Sequence, residues 1–218
     1  MRRLLAITLA LGTLVLAACE RPGLGRASEA RPCPPGTERA VAETPIGREH
    51  WCQRGGTGLR HGPHVAWHGN GRIQAEGDFA DGRPNGRWRL FYANGRPLLQ
   101  GEYRDGVKQG PWTFWYANGI EKEAGAFRDG REQGRWTRWF ESGQPQSEGE
   151  YRDGVPDGRW TFWYDRGPVR ETGEYRRGER TGSWRRGSVT GQPCADRDLT
   201  PHPPGGGGSR NPDSFTRS

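Results

Sequence analysis

The 218-residue chain is poor in the residues that fill a thick core. Only 31% of it is hydrophobic, it holds one Met, and its mean hydropathy is −1.01. An apolar share this far below that of ordinary globular domains excludes a large two-layer core and, with it, a large α/β enzyme. No C-x-x-C pair occurs among the four cysteines, which argues against a structural zinc site. Neither G-x-S-x-G, Gly-Lys-Ser/Thr nor His-Glu-x-x-His is present, so the familiar nucleophile, phosphate-loop and zinc-hydrolase signatures are missing. The chain therefore reads as non-catalytic, without cofactor or metal. What it does have is 36 Gly, 10 Trp, 6 Tyr and 7 Phe. So many aromatics do not suit disorder, and together with the glycines they predict a thin, repeated, all-β layer.

The two ends differ from the middle. Arg2 and Arg3 precede a short apolar run, Leu4 to Val15, that is too short for a lasting transmembrane helix and reads as an export signal. Leu16-Ala17-Ala18-Cys19 resembles the lipobox of bacterial lipoproteins. That resemblance implies cleavage after residue 18, diacylation of Cys19 and residence in the bacterial cell envelope. Glu20, in place of Asp after the anchor, points to the outer rather than the inner membrane. In an oxidising compartment the remaining cysteines, Cys33, Cys52 and Cys194, are candidates for bridging. A Cys33–Cys52 disulfide is favoured, stapling a short loop worth about 3 kcal/mol by the chain-entropy argument. Cys194 is then either free or paired between molecules. Residues 19–57 are expected to be a tether and stapled N-terminal cap, and the Pro/Gly-rich residues 187–218 a disordered tail.

Between them, residues 58–186 repeat with a fixed period. Gly62, Gly86, Gly110, Gly134, Gly158 and Gly182 are each 24 residues apart. Counting that glycine as position 0, position 2 is His64 and then Trp88, Trp112, Trp136, Trp160 and Trp184. Position 5 is Trp67, Phe91, Trp115, Trp139 and Trp163, and positions 9, 15 and 20 are glycine. Position 17 is Phe79, Tyr103, Phe127, Tyr151 and Tyr175. Aromatic, β-branched runs separated by Asn-Gly and Asp-Gly read as hairpins, five full units and a partial sixth, giving an antiparallel meander of about ten strands. The Asn-Gly pairs are expected to form two-residue type I′ turns. Period-two alternation places positions 2, 4 and 6 on one face and position 5 on the other. The position-15 glycine is expected to let a neighbouring Trp ring lie across the backbone, so that Trp stacking replaces an aliphatic core.

The pattern G-x-W-x-x-W-Y-x-x-N-G-x-x-x-x-x-G-x-Y-x-x-G over residues 62–185 resembles the bacterial variant of the MORN repeat. His64 and His68 depart from it in the first unit. The resemblance implies an elongated single-layer sheet and a link with membrane association and protein scaffolding. Many exported bacterial relatives carry an antitoxin label, which suits an exported lipoprotein poorly, since it would not meet a cytosolic toxin.

Charge and histidines add little chemistry. The formal net charge is +7, yet residues 62–185 carry 20 basic and 18 acidic side chains, an interspersed surface rather than a phosphate track, so no nucleic-acid partner is expected. His64 and His68 share a strand face, but no carboxylate or thiol is fixed beside them by the pattern, and they read as degenerate repeat positions. The expected function is a lipid-anchored interaction or scaffolding module for an envelope protein or cell-wall component, with the row Trp67, Phe91, Trp115, Trp139 and Trp163 as candidate binding surface. Two alternatives remain: recognition of anionic lipid headgroups by arginines such as Arg87, Arg135 and Arg159, and carbohydrate or peptidoglycan binding through the Trp row.

Overall fold

The computed structural model describes residues 31–190. Within them lie fourteen strands and no helix: β1 (Thr37–Thr44), β2 (Gly47–Arg54), β3 (Arg60–His68), β4 (Ile73–Ala80), β5 (Arg83–Phe91), β6 (Pro97–Arg104) and β7 (Val107–Trp115) in the first half. Then follow β8 (Glu121–Arg128), β9 (Arg131–Trp139), β10 (Pro145–Arg152), β11 (Val155–Pro156), β12 (Gly158–Trp163), β13 (Val169–Arg176) and β14 (Glu179–Arg186). They form one open antiparallel meander in sequence order, with the two-residue β11 pairing only to β10 and with β1 and β14 at the edges. Fourteen strands replace the expected ten, chiefly because the cysteine-bearing segment adds two of its own. Its described part folds as β1 and β2 and pairs in register onto β3. Cys19 and Cys194, the expected export signal and the residues beyond Thr190 lie outside the described residues.

The type I′ turns fall at Asp-Gly and not, as expected, at Asn-Gly. Asp81, Asp105, Asp129, Asp153 and Arg177 have φ of 48–52°, and each precedes a glycine that is also left-handed. Two successive left-handed residues closing a two-residue loop are the type I′ geometry, so Asp-Gly carries that turn. At Asn-Gly only the glycine is left-handed. Gly95 N donates to Tyr92 O at 2.8 Å and Tyr92 N to Arg96 O at 2.9 Å, a three-residue loop ending in a bulge. The asparagines do something else: Asn70, Asn94 and Asn118 Nδ2 donate to the carbonyls of Ala93, Ala117 and Glu141 in the next unit at 2.7–2.9 Å.

Burial is organised as a column of rings on one face. His64, Phe79, Trp88, Tyr103, Trp112, Phe127, Trp136, Tyr151, Trp160, Tyr175 and Trp184 form an unbroken series with centroids 4.9–6.3 Å apart, every successive pair edge-to-face. The tryptophans do not stack on one another. A position-17 ring stands between each pair, because position-2 residues of adjacent units lie two strands, or about 9.6 Å, apart. Edge-to-face contact is the favoured geometry for such pairs. Each Trp packs over the position-15 glycine of the preceding unit: Trp88 on Gly77, Trp112 on Gly101, Trp136 on Gly125, Trp160 on Gly149 and Trp184 on Gly173, where a Cβ would fall inside the indole. The indole NH of the first four is satisfied locally, as in Trp136 Nε1 to Ala126 O at 3.2 Å and Trp160 Nε1 to Glu150 O at 3.1 Å, whereas Trp184 Nε1 is buried without a partner. Trp112 is only 1% exposed. Cations cover parts of the column: Lys108 Nζ lies 4.9 Å from the Trp112 ring centroid and Arg180 lies 4.0 Å from that of Trp184.

Candidate binding face

The opposite face is polar and carries the position-5 aromatics. Phe91, Trp115, Trp139 and Trp163 are half-buried, and no ring contact joins them. The intervening strand places Pro97, Glu121, Pro145 and Val169 opposite them, so nothing aromatic bridges the two-strand gap. Trp67, the first member of the expected row, is different. It is 3% exposed, with the His50 ring edge-on at 4.8 Å and Arg48 4.8 Å from its centroid. Strand β2 supplies both covering side chains, so Trp67 is packed into the sheet and is removed from the candidate surface. Its Nε1 is buried without a hydrogen-bond partner.

Position 6 also departs from a simple face assignment. Tyr92 OH donates to Trp115 O at 2.7 Å and Tyr116 OH to Trp139 O at 2.9 Å, tying each position-5 backbone to the unit before it. His68 Nε2 makes the equivalent contact with Phe91 O at 2.9 Å. Burial raises the Tyr92 and Tyr116 phenols above their ordinary pKa, reinforced by Glu141, so both remain donors. Phe140 lacks the hydroxyl, and the ladder stops there. The backbones of Phe91, Trp115 and Trp139 are therefore each tied to the preceding unit, and that of Trp163 is not.

Position 1 places Arg87, Arg135 and Arg159 on the same face, all exposed. Arg135 pairs with Glu148 at 2.6 Å and Arg89 pairs with Glu76, while Arg87 Nη2 donates to Gln100 Oε1 at 3.2 Å. The face thus presents alternating aromatic and guanidinium groups, partly neutralised from within.

At its N-terminal end this face holds a cavity of about 410 Å³ that sequence reasoning missed. Residues 31–34 cross the sheet there, because Cys33 is bonded to Cys52 of β2 and Pro34 packs on Gly62. Arg31 Nη2 donates to both oxygens of Asp78 on β4, at 2.9 and 3.0 Å, and to Gly77 O at 3.3 Å. Arg31, Arg39, Arg87 and Arg89 line the cavity with Glu76, Asp78 and His50. Burial, then Arg48 and Arg39, hold the His50 pKa below its ordinary value. Arg39 Nη2 lies 3.4 Å from the Arg31 carbonyl. The only advance signal was the arginine-flanked Arg31-Pro32-Cys33 run.

His64 and His68 do not converge on a common ligand position. His64 Nε2 meets Glu49 Oε2 at 3.1 Å in the tryptophan slot of the ring column, while His68 serves the tyrosine ladder. Among the described residues no cluster of three His, Cys, Asp or Glu could hold a metal ion. No described helix is long and apolar enough to cross a membrane.

Comparison with known proteins places the repeat. A family described as "MORN repeat variant" matches residues 132–153. The antiparallel hairpin meander is consistent with a MORN-repeat protein, and the MORN residues recur at the same positions in the units on either side. No curated protein matches the chain. Among solved structures it is similar, at 16% identity and a TM-score of 0.27, to "Glycosylation Associate Protein (Gap123) complex from Streptococcus agalactiae", covering 48% of this chain and 19% of that one. It is also similar, at 16% identity and a TM-score of 0.22, to "Crystal structure of GtfA/B complex bound to UDP and GlcNAc", covering 66% of this chain and 25% of that one. The chain thus spans a quarter or less of the length of either, and likenesses this slight carry no functional argument.

Proposed function

We propose that the protein is a non-catalytic, lipid-anchored component of the bacterial envelope, at the outer membrane, whose MORN-like sheet binds a partner protein. The observation that carries this reading is the division of labour between the faces. The column tryptophans Trp88, Trp112, Trp136 and Trp160 are buried, whereas Phe91, Trp115, Trp139 and Trp163 are half-buried beside exposed arginines. Aromatic and arginine side chains are the groups enriched in protein interfaces, and a repeated sheet offers an extended platform for them. The anchoring reading rests on the lipobox-like Leu16-Ala17-Ala18-Cys19.

The test places photo-crosslinking side chains at positions 115 and 139 of the intact lipoprotein and irradiates whole cells. One predominant protein adduct that is lost on Trp163→Ala supports the reading. Adducts with anionic lipid alone, abolished at high salt, would transfer the face to headgroup recognition, and adducts with glycan would transfer it to the cell wall. Absence of any adduct would refute a binding role for this face.

A further inference from the structure

The geometry points to the N-terminal cavity as a binding site for a carboxylate borne on a group that also carries hydrogen-bond donors. This goes beyond the aromatic row, which the cavity does not include. Four guanidinium groups and two carboxylates line the cavity, a formal excess of two positive charges. Two of the arginines are already committed, Arg31 to Asp78 and Arg89 to Glu76. Those pairs fix the walls and hold the two acids in place. Arg87 projects from the position-1 site of β5 with only a neutral amide as its hydrogen-bond acceptor. A planar carboxylate suits a guanidinium edge, with two parallel N–H···O bonds. A dianion would meet Glu76 and Asp78 at close range and be disfavoured. Hydroxyl or amide donors beside the carboxylate would instead find those acids as acceptors. The volume falls within the range of small-ligand sites.

The cavity is also built rather than incidental. Its outer wall exists only because the Cys33–Cys52 bond holds residues 31–34 over β3 and β4. Position 1 of the fourth unit, Arg135, is the same repeat position as Arg87, but it pairs directly with Glu148 and has no crossing segment beside it.

Titration calorimetry on the intact protein in detergent tests this with two matched pairs of probes: glucuronate against glucose, and N-acetylglycine against N-acetylglycinamide. At least one anion is expected to bind with one-to-one saturation in the millimolar range or tighter, its neutral twin at least tenfold more weakly. Which anion saturates identifies an acidic sugar or a peptide carboxylate as the source. Arg87→Gln should weaken binding at least tenfold, and the double exchange of Cys33 and Cys52 to Ser should do the same by releasing the Arg31 wall. Arg135→Gln should leave it unchanged. Circular dichroism on each variant separates lost binding from lost fold. Failure of both anions to saturate, or equal effects of Arg87→Gln and Arg135→Gln, overturns the inference. The aromatic-row reading would be untouched, because its crosslinks originate at positions 115 and 139.

Discussion

Gly125→Ala is the sharpest probe of how the sheet is held together. Gly125 does not have a left-handed φ, so its backbone accepts alanine without conformational penalty. The whole cost must come from the Trp136 indole, which occupies the space a Cβ would need. Complete expulsion of an indole that buries about 150–250 Å² would cost about 4–6 kcal/mol at ~25 cal/mol per Å². A partial lift costs less, about 1–3 kcal/mol for overpacking, plus about 1 kcal/mol for stretching the Trp136 Nε1 bond to Ala126 O. About 3 kcal/mol is expected, read by urea denaturation followed by far-UV circular dichroism. The decisive comparison is the double-mutant cycle. In a Trp136→Ala background, already destabilised by about 3–5 kcal/mol, Gly125→Ala should add less than about 0.5 kcal/mol, leaving a coupling of about 2–3 kcal/mol. If Gly125→Ala alone costs less than about 1 kcal/mol, or costs the same in both backgrounds, the glycine is not there for the ring and the ring-column account fails.

Three further outcomes follow from the same geometry. Tyr116→Phe removes the phenol donor to Trp139 O and should cost about 1 kcal/mol by denaturant melting, whereas the same change at Tyr164, for which no such side-chain contact is seen, should cost nothing measurable. His64 is 6% exposed, and burial holds its pKa below 6.5 against the opposing effect of the hydrogen bond it donates to Glu49, so the unfolded chain takes up its proton first. Stability should therefore fall as pH drops below 6.5 through the folded pKa, and His64→Gln, which keeps a donor for Glu49 without titrating, should shrink that slope while His50, shifted in the same direction, supplies the remainder. Reduction of the Cys33–Cys52 bond should destabilise the N-terminal strands by about 3 kcal/mol, seen as faster amide exchange in β1 and β2 with β8 to β10 unaffected.

The regular part of this fold was legible because each unit repeats its own instructions. Gly at position 15 and Trp at position 2 are a matched pair across a unit boundary, and five recurrences expose the relation without any structure. The Asn-Gly turns were misread because Asn-Gly is compatible with two loop lengths, and the choice depends on where the flanking strands stop pairing. Here Tyr92, Tyr116 and Phe140 close the loop one residue wider, which frees the Asn amides to bridge units. Trp67 looked like a surface residue because its covering partners, Arg48 and His50, belong to a strand with neither the Trp nor the Gly signature. The cavity was illegible for a related reason: it depends on a crossing segment whose path is set by one covalent bond.

The first unit departs from the pattern because the sheet must meet a segment that does not belong to the repeat. At regular boundaries the ladder shifts around the position-15 glycine, as between Glu76 and Asp78 or Ala124 and Ala126. In the β2–β3 ladder Trp51 pairs with His64, so Trp51 stands where that glycine would be. A side chain there cannot accept an indole lying on its backbone, and the smaller His64 ring takes the tryptophan slot. It stacks on Trp88 at 5.5 Å and donates to Glu49. Cys52 Sγ turns to the other face and holds Cys33. The substitutions of Gly by Trp and Trp by His are thus one coupled change. It closes the ring column at one end, while the adjacent Cys52, on the reverse face of the same strands, secures the wall that brings Arg31 over Asp78 and distinguishes Arg87 from its equivalents farther along the array.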